Sequence, residues 1–371
     1  MDGAWERVRH VLCVRLDTVG DVLMTTPALR ALTTSHAHPS ITLLTSRAGA
    51  AAAALVPEID DIIVYDAPWL KATSPRATAR PDHAIIHRLE AGAFDAAVIF
   101  TVYSQSPLPA AMLCHLAEIP LRLAHSHENP YQLLTTWVSD PEPTRCVRHE
   151  VQRQLDLVAA VGCATADDRL SLRVPADAWA ASAQRLENAD VDLGRPWILM
   201  HPGATAASRR YPPEHFARAA RLLARRYGQQ AVFTGTADER SLVDGIRAAM
   251  GAPSHSLAGS LTLAELAAVI ARAPVLIANN TGPVHMAAAL GTPVVDLYAL
   301  TNPQHTPWRV ASRVLSHDVP CKYCYKSVCP ERHHDCLRRI APEAVVRAAC
   351  ELLSEAPRVA PARRATLAIP S

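Results

Sequence analysis

The sequence contains no long uninterrupted hydrophobic run, and no stretch approaches the roughly 18 apolar residues that a membrane-spanning helix needs. The N-terminal segment MDGAWERVRH carries charge on both sides of Trp5 and lacks the apolar centre of a secretion signal. The nine cysteines do not form a secreted disulfide framework, because four of them are scattered singly through the first 163 residues. These absences predict a cytosolic protein.

An excess of charge of one sign is also missing. The chain has 37 Lys and Arg residues against 35 Asp and Glu residues, which gives a net charge of +2. The arginine pairs at 209–210, 225–226, 338–339 and 363–364 are too scattered to form a basic stripe, so we expect no nucleic-acid partner. No G-x-G-x-x-G motif follows the first predicted strand, which argues against a dinucleotide-dependent oxidoreductase.

Short apolar runs with β-branched residues alternate with amphipathic stretches through most of the 371 residues, and 49% of the residues are hydrophobic. This rhythm predicts an α/β fold with parallel, doubly wound sheets, and the length predicts two domains. We place the domains at residues 1–165 and 166–355, with a linker near 163–175 and a disordered tail at 356–371.

The first strand, loop and helix lie in the segment HVLCVRLDTVGDVLMTTPALRAL at residues 10–32. Ligands of open α/β sheets collect beyond the carboxyl ends of the strands, where the loop at residues 17–21 is expected. Gly20 permits a ligand such as a sugar donor to approach the backbone closely. Asp21 is either a helix cap, since aspartate is a favoured N-cap residue, or a catalytic carboxylate.

The second half contains several candidates for a nucleotide-diphosphate site. A predicted strand at 197–201 is followed by Thr205, which offers a hydroxyl to phosphate, and by Arg209 and Arg210, either of which offers a guanidinium group. An arginine pair is also common on solvated surfaces. Glu239 is predicted either to bind a ribose or to stabilise the first turn of a helix. Leu261 ends a small apolar segment that is suited to face an adenine.

The segment VLIANNTGPVHMAAAL at residues 275–290 gives the strongest local signal. A buried strand is followed by Asn280, Thr281 and Gly282 and then by a helix that carries His285. Thr281 is suited to cap this helix, and Gly282 lets a phosphate approach its free N–H groups. The segment therefore predicts an anion site built from backbone.

Cysteine occurs four times within 16 residues, at Cys321, Cys324, Cys329 and Cys336. This spacing is typical of a compact structural zinc site. One alternative is that the cysteines are free thiols or form a partial disulfide. Another is that they have a redox role. The pair His125 and His127 is more typical of a solvated polar loop than of a metal site, because no third ligand lies nearby.

Four segments together resemble the bacterial heptosyltransferases, glycosyltransferase family 9. They are R-L-D-T-V-G-D at 15–21, H-P-G-A with R-R-Y-P between 201 and 212, N-T-G-P-V-H at 280–285, and the cysteine run. The resemblance implies the GT-B architecture, in which two Rossmann-like domains face each other across a cleft. The sequence departs from the family pattern at Asn280, where an acidic residue is expected, and this leaves the identity of the sugar open.

The same resemblance implies an inverting transfer with Asp21 as catalytic base, ADP-L-glycero-D-manno-heptose as donor and a lipid-linked saccharide of the lipopolysaccharide core as acceptor. It implies no cofactor for catalysis, and such an acceptor brings the enzyme to the inner face of the cytoplasmic membrane. Two other functions stay open from the residues themselves. One is a transferase that uses another nucleotide sugar on a natural product, and the other is a non-catalytic two-lobed protein that binds nucleotide or metal.

Overall fold

Two lobes, each built on a six-stranded parallel sheet, make up the computed structural model, which describes residues 3–35, 38–71 and 73–355. The predicted disordered tail at 356–371 lies outside the described residues. Within the described ranges, no helix combines the length and the apolar character needed to cross a membrane.

The first lobe has the strand order β3-β2-β1-β4-β5-β6. Its strands are β1 (His10–Arg15), β2 (Ser40–Thr45), β3 (Asp61–Val64), β4 (Ala96–Ile99), β5 (Leu121–Ser126) and β6 (Thr136–Ser139). Its helices are α1 (Val19–Thr33), α2 (Arg47–Ala53), α3 (Arg80–Ala91), α4 (Leu108–Leu116) and α5 (Glu150–Ala159). The central strands β1 and β4 are buried almost throughout, which is why their sequences read as continuous apolar runs.

The second lobe has the order β12-β11-β10-β7-β8-β9. Its strands are β7 (Trp197–His201), β8 (Gln230–Phe233), β9 (Ser254–Ser256), β10 (Leu276–Asn279), β11 (Val294–Leu297) and β12 (Ser312–Leu315). Its helices are α6 (Ala176–Asn188), α7 (Pro213–Tyr227), α8 (Arg240–Met250), α9 (Leu263–Arg272), α10 (Gly282–Leu290), α11 (Asp335–Arg338) and α12 (Pro342–Glu355).

Both sheets are doubly wound in the Rossmann order, as the sequence predicts, and the strand order reverses between β1 and β4 and between β7 and β10. Ligands bind at such reversal points, beyond the carboxyl ends of the strands. The loop at residues 17–21 follows β1, and Asn280 follows β10. The fold thus places both predicted motifs where each sheet is open to a ligand.

The division of the chain at 165/166 stays a prediction. The connecting segment still packs on the first lobe, since Ser171 N–H donates to Thr26 Oγ1 at 2.9 Å and Arg173 N–H donates to the Leu55 carbonyl at 2.8 Å. The polar loop predicted to begin at His125 is shorter than expected, because His125 is buried at the end of β5 and bonds the Arg153 carbonyl at 3.1 Å.

The lobes meet where helices α1 and α10 begin. A Cβ atom on Gly20 would lie 2.6 Å from Cδ2 of His285, and one on Gly282 would lie 3.3 Å from Cγ1 of Val19. Glycine is therefore required at position 20 for the two helix N-termini to approach this closely. This contact brings the motif after β1 against the motif after β10.

Candidate active site

Arg15, at the end of β1, is completely buried and lies against three carboxylates. Its Nη2 is 3.1 Å from Asp21 Oδ1, its Nε is 3.1 Å from Asp17 Oδ2, and its Nη1 is 3.0 Å from Glu150 Oε1. A buried cation needs such partners, because removing a charge from water is costly unless it is paired. Arg15 thus holds together the loop after β1 and the first residue of α5.

Asp21 has two structural tasks at once. Thr18 is the N-cap residue of α1, and Asp21 Oδ2 accepts a hydrogen bond from the Thr18 N–H at 3.1 Å as part of the capping box. The same oxygen accepts a second hydrogen bond from the Thr18 hydroxyl at 2.8 Å. Burial raises the pKa of Asp21, but the charges of Arg15 and His305 outweigh it and hold that pKa well below its usual range. The carboxylate is therefore ionised at neutral pH, and it takes part both in the capping box of α1 and in the ion pair with Arg15.

The second lobe reaches this cluster through the segment after β11. His305 Nε2 lies 3.8 Å from Glu150 Oε2, and the Glu150 N–H donates to the Gln304 carbonyl at 3.0 Å. The His149 ring bonds the Thr306 carbonyl at 2.9 Å. The N-terminus of α5 is thus the docking point of the second lobe beside Asp21.

His285 faces the cluster from α10 and is buried. Burial, followed by the nearby charge of His305, lowers the pKa of His285 to about 3, so the ring is neutral at pH 7. Its Nδ1 has no hydrogen-bond partner among the described residues. A neutral imidazole with a free ring nitrogen can accept or donate a hydrogen bond to a bound ligand.

The structure shows the hydrogen bonds of Asn280, the residue at which the sequence departs from the family pattern. Asn280 Nδ2 donates to Asp296 Oδ2 and to the His305 carbonyl, both at 2.9 Å. Asp296 lies on β11, is completely buried, and leaves its Oδ1 without a partner among the described residues. Burial raises its pKa to about 8, so this carboxyl group is protonated at neutral pH. An acidic side chain therefore does adjoin position 280, supplied by the neighbouring strand.

The two arginines after β7 differ in their surroundings. Arg209 lines a cleft cavity of about 240 Å³ together with Asp17 and Asp21, and its guanidinium has no hydrogen bond or ion pair among the described residues. Arg210 is exposed, and its Nε donates to the Ala204 carbonyl at 2.8 Å. Arg209 is thus the member of the pair that is free to bind an anion in the cleft.

The remaining predicted donor residues surround α10 and the end of β8. Thr281 is the N-cap residue of α10, but its hydroxyl donates to the Asn279 carbonyl at 3.2 Å, so no side chain caps the first N–H groups. Glu239 accepts from the Thr236 N–H at 2.8 Å and fills the space beside Gly203. Thr205 is exposed on its loop and Leu261 is half-buried. Their contacts with a donor stay predictions.

The family model of glycosyltransferase family 9 (heptosyltransferase) matches residues 83–334, which is more than half of the chain. The chain belongs to glycosyltransferase family 9. Among curated relatives, lipopolysaccharide heptosyltransferase 1 of Pseudomonas aeruginosa is 30% identical over 188 residues, which cover 50% of each protein. The chain spans about half the length of the first curated relatives that it matches.

Solved structures of this family share the fold. The glycosyl transferase family 9 protein from Veillonella parvula is 23% identical, with a TM-score of 0.77 over 94% of this chain and 98% of that one. Escherichia coli heptosyltransferase WaaC, solved with ADP-2-deoxy-2-fluoro heptose, is 18% identical, with a TM-score of 0.63 over 92% of this chain and 99% of that one. These similarities confirm the GT-B architecture that the sequence resemblance implies.

In this family 9 chain, the cysteine segment reaches the cleft. The backbone of residues 325–327 is bound to the second lobe, where Tyr325 N–H donates to the Thr301 carbonyl at 2.8 Å and the Ser208 hydroxyl to the Lys326 carbonyl at 2.7 Å. The Tyr325 hydroxyl contacts that of Tyr103 on the first lobe. As a result Lys326, one of three lysines in the chain, lines the cleft cavity, a position that the sequence alone did not reveal.

The cysteines themselves are half-exposed and unpaired by disulfides. Cys321 Sγ lies 3.7 Å from His333 Nε2. Over the described residues, no group of three or more His, Cys, Asp or Glu side chains is gathered closely enough to hold a metal ion. Zinc at Cys321, Cys324, Cys329 and Cys336 therefore stays a prediction.

Asp296 provides a test of this site by pH. The unfolded chain loses the proton near the ordinary aspartate pKa of about 3.9, whereas the folded protein keeps it until about pH 8. The stability that this proton contributes is complete below the ordinary pKa and is lost as the pH rises through the folded pKa. Asp296→Asn does not titrate. The difference in melting temperature, variant minus parent, should therefore increase from about pH 5 to about pH 9 when it is measured by calorimetry. A constant or falling difference would contradict the protonated state of Asp296.

Proposed function

We propose that this protein transfers a heptose from ADP-heptose to a saccharide of the lipopolysaccharide core with inversion at the anomeric carbon. The observation that carries the proposal is the meeting of two motifs at the lobe contact. Asp21 and Arg209 line the cleft cavity from the two lobes, and the uncapped N-terminus of α10 packs beside them against the start of α1. The relatives named heptosyltransferases and the ADP-sugar bound by WaaC support the same donor.

In this proposal the diphosphate of the donor binds between Arg209 and the first N–H groups of α10, with Thr205 and Thr281 offering hydroxyls. Helix N-termini and arginine both favour negative charge. His285, neutral and packed against Gly20 where α1 and α10 begin, belongs to the donor side of this site. Glu239 binds the ribose, and Leu261 contacts the adenine.

We assign the acceptor to the first lobe. A cavity of about 760 Å³ opens beyond β1, β2 and β3, and it connects the loop after β1 with three basic side chains, Arg47, Lys71 and Arg76. Arg47 and Arg76 also pair with acidic residues at 3.3 Å and 2.5 Å, so part of their charge is already compensated. Asp17 and Asp66 line the same cavity, so the group that suits an anionic saccharide is the Lys71 ammonium, which has no ion pair among the described residues. A lipid-linked acceptor of this kind would bring the enzyme to the inner face of the cytoplasmic membrane.

The chemistry requires one proton transfer. The acceptor hydroxyl attacks the anomeric carbon and gives its proton to the Asp21 carboxylate while the bond from that carbon to the diphosphate oxygen breaks. ADP leaves with the electron pair on the opposite face, so the configuration inverts. The negative charge that develops on the leaving diphosphate is stabilised by Arg209 and α10, and no divalent cation is required for it.

The donor site can be tested by calorimetry with ADP. Arg209→Ala should weaken ADP binding by about 1.5–3 kcal/mol, the usual contribution of a hydrogen bond to a charged group. Arg210→Ala is the matched control, because the Arg210 guanidinium is exposed and bonded to its own loop. Equal losses in both variants, or none in either, would remove Arg209 from the site.

The base can be tested by Asp21→Asn. Asparagine keeps most of the size and capping ability of aspartate but cannot take the proton, so turnover should fall by about 10²–10⁴-fold, while the Kd for ADP changes little. Initial rates of ADP release and calorimetry measure the two quantities.

Glu265→Gln is the control for loss of a capping carboxylate. Glu265 closes the capping box of α9 by accepting from the Thr262 N–H at 2.7 Å, and it lies outside the cleft. Its variant should turn over like the parent. A folded Asp21→Asn protein with parental turnover would leave Asp21 as a helix cap only.

A further inference from the structure

Asp17, the carboxylate near Asp21, lines more cavities than Asp21 does. Asp17 lines the cleft cavity, and it also lines the cavity of about 760 Å³ and a further cavity of about 390 Å³ on the first lobe. Of these three cavities Asp21 lines only the cleft. The Asp17 side chain is 18% exposed. Asp17 therefore stands where the assigned acceptor side opens into the cleft.

The hydrogen bonds of the two carboxylates also differ. Asp21 accepts three, from Arg15 and from the Thr18 amide and hydroxyl. Asp17 accepts one, from Gln105 Nε2 to Oδ1 at 2.8 Å, and within the described part of the chain no hydrogen bond reaches its Oδ2. The 3.1 Å contact of that oxygen with Arg15 Nε lacks hydrogen-bond geometry. An ionised carboxylate has about four acceptor positions, so Asp17 retains capacity for a ligand.

The surroundings shift the pKa values of Asp17 and Asp21 in opposite directions. Burial raises the pKa of Asp17, and the charges of Asp21 and Glu150 add to this, while Arg15 and the Gln105 hydrogen bond oppose it. The pKa of Asp21 is lowered. The other charged or titratable groups that line the same cavities are Arg47, Asp66, Lys71, Arg76, Arg209, His305, Tyr325 and Lys326. Two neighbouring acids with divergent environments are typical of two separate roles in one site.

We propose that Asp17 is the acceptor-binding carboxylate of this site. Its free Oδ2 accepts a hydrogen bond from a hydroxyl of the acceptor saccharide and so orients the attacking hydroxyl toward Asp21. No covalent bond forms on Asp17, and the proton of the reaction still goes to Asp21. The inference rests on the proposed function and adds the group that selects and orients its second substrate.

Only the ionised form of Asp17 offers Oδ2 as a pure acceptor. Acceptor binding should therefore weaken as the pH falls through the raised pKa of Asp17, at a pH above the range in which Asp21 itself takes up a proton. A residue that merely neutralised Arg15 would affect the stability of the fold and would not produce this selective loss.

The experiment measures binding directly, so it does not depend on turnover. De-acylated lipopolysaccharide that lacks heptose is the probe, titrated by calorimetry into the parent and into Asp17→Asn from about pH 4 to about pH 8. We expect the variant to bind the probe roughly tenfold to a hundredfold more weakly at pH values above the raised pKa of Asp17, as for a lost hydrogen bond to a charged group. We also expect it to lose the weakening of the parent at low pH and to bind ADP like the parent.

Asp95→Asn is the matched control. Asp95 lies at the other end of the same strands, before β4, where its Oδ2 accepts hydrogen bonds from the Arg9 and His10 N–H groups at 2.7 and 2.9 Å. The Asp95→Asn variant should bind the probe like the parent. If Asp17→Asn does not fold, Gln105→Ala gives the second test. This substitution removes the one hydrogen bond that Asp17 accepts. It should weaken binding of the probe without affecting the binding of ADP.

Three results would overturn the inference. They are parental affinity of Asp17→Asn for the probe, equal losses for the probe and ADP, and failure of the parent to bind the probe. Failure of the donor assignment is separate, because it would appear as absent ADP binding by the parent with probe binding intact.

Discussion

The guanidinium of Arg15 is the interaction on which this site depends. It is completely buried at the end of β1 and lies within 3.1 Å of oxygens from Asp17, Asp21 and Glu150. One cation among three carboxylates leaves negative charge, and His305 of the second lobe lies against it, with Nε2 3.8 Å from Glu150 Oε2. Because an uncompensated buried charge is strongly destabilising, β1, α1, α5 and the segment after β11 are held in one arrangement.

The same arrangement separates the charges that the proposed glycosyl transfer needs. The acidic groups cluster on the first lobe beside the assigned acceptor cavity, whereas Arg209 lines the cleft from the second lobe and the N-terminus of α10 packs against α1. The close approach of Gly20 to His285 sets the distance between the two sides. The proposed proton acceptor and the proposed site for the leaving anion thus face one cleft without neutralising each other.

The sequence predicted what depends on local pattern. The unit of β1, loop and α1 and the unit of β10 and α10 follow from apolar periodicity, capping residues and glycine, so both motifs were located correctly on strands and helices. The edge strands β6, β9 and β12 were not predicted, because they are only three or four residues long and at most half-buried, which leaves no apolar run.

What the sequence could not provide were pairings between distant residues. Glu150 meets Arg15 across 135 positions, and Asp296 meets Asn280 through the pairing of β10 with β11. An aspartate within the apolar strand VVDL was the one visible sign of the latter, since a buried acid needs a partner. The positions of Asp17, His305 and Lys326 around one cavity likewise arise from how loops of the two lobes meet, which no local pattern specifies.

The proposed function requires that the two lobes form one metal-independent site for inverting transfer from an ADP-sugar. The most direct measurement is NMR of the product formed from ADP-heptose and heptose-free lipopolysaccharide in the presence of EDTA. We predict release of one ADP per saccharide formed, with the anomeric configuration opposite to that of the donor. Retention of configuration, or transfer that stops with EDTA, would contradict the account.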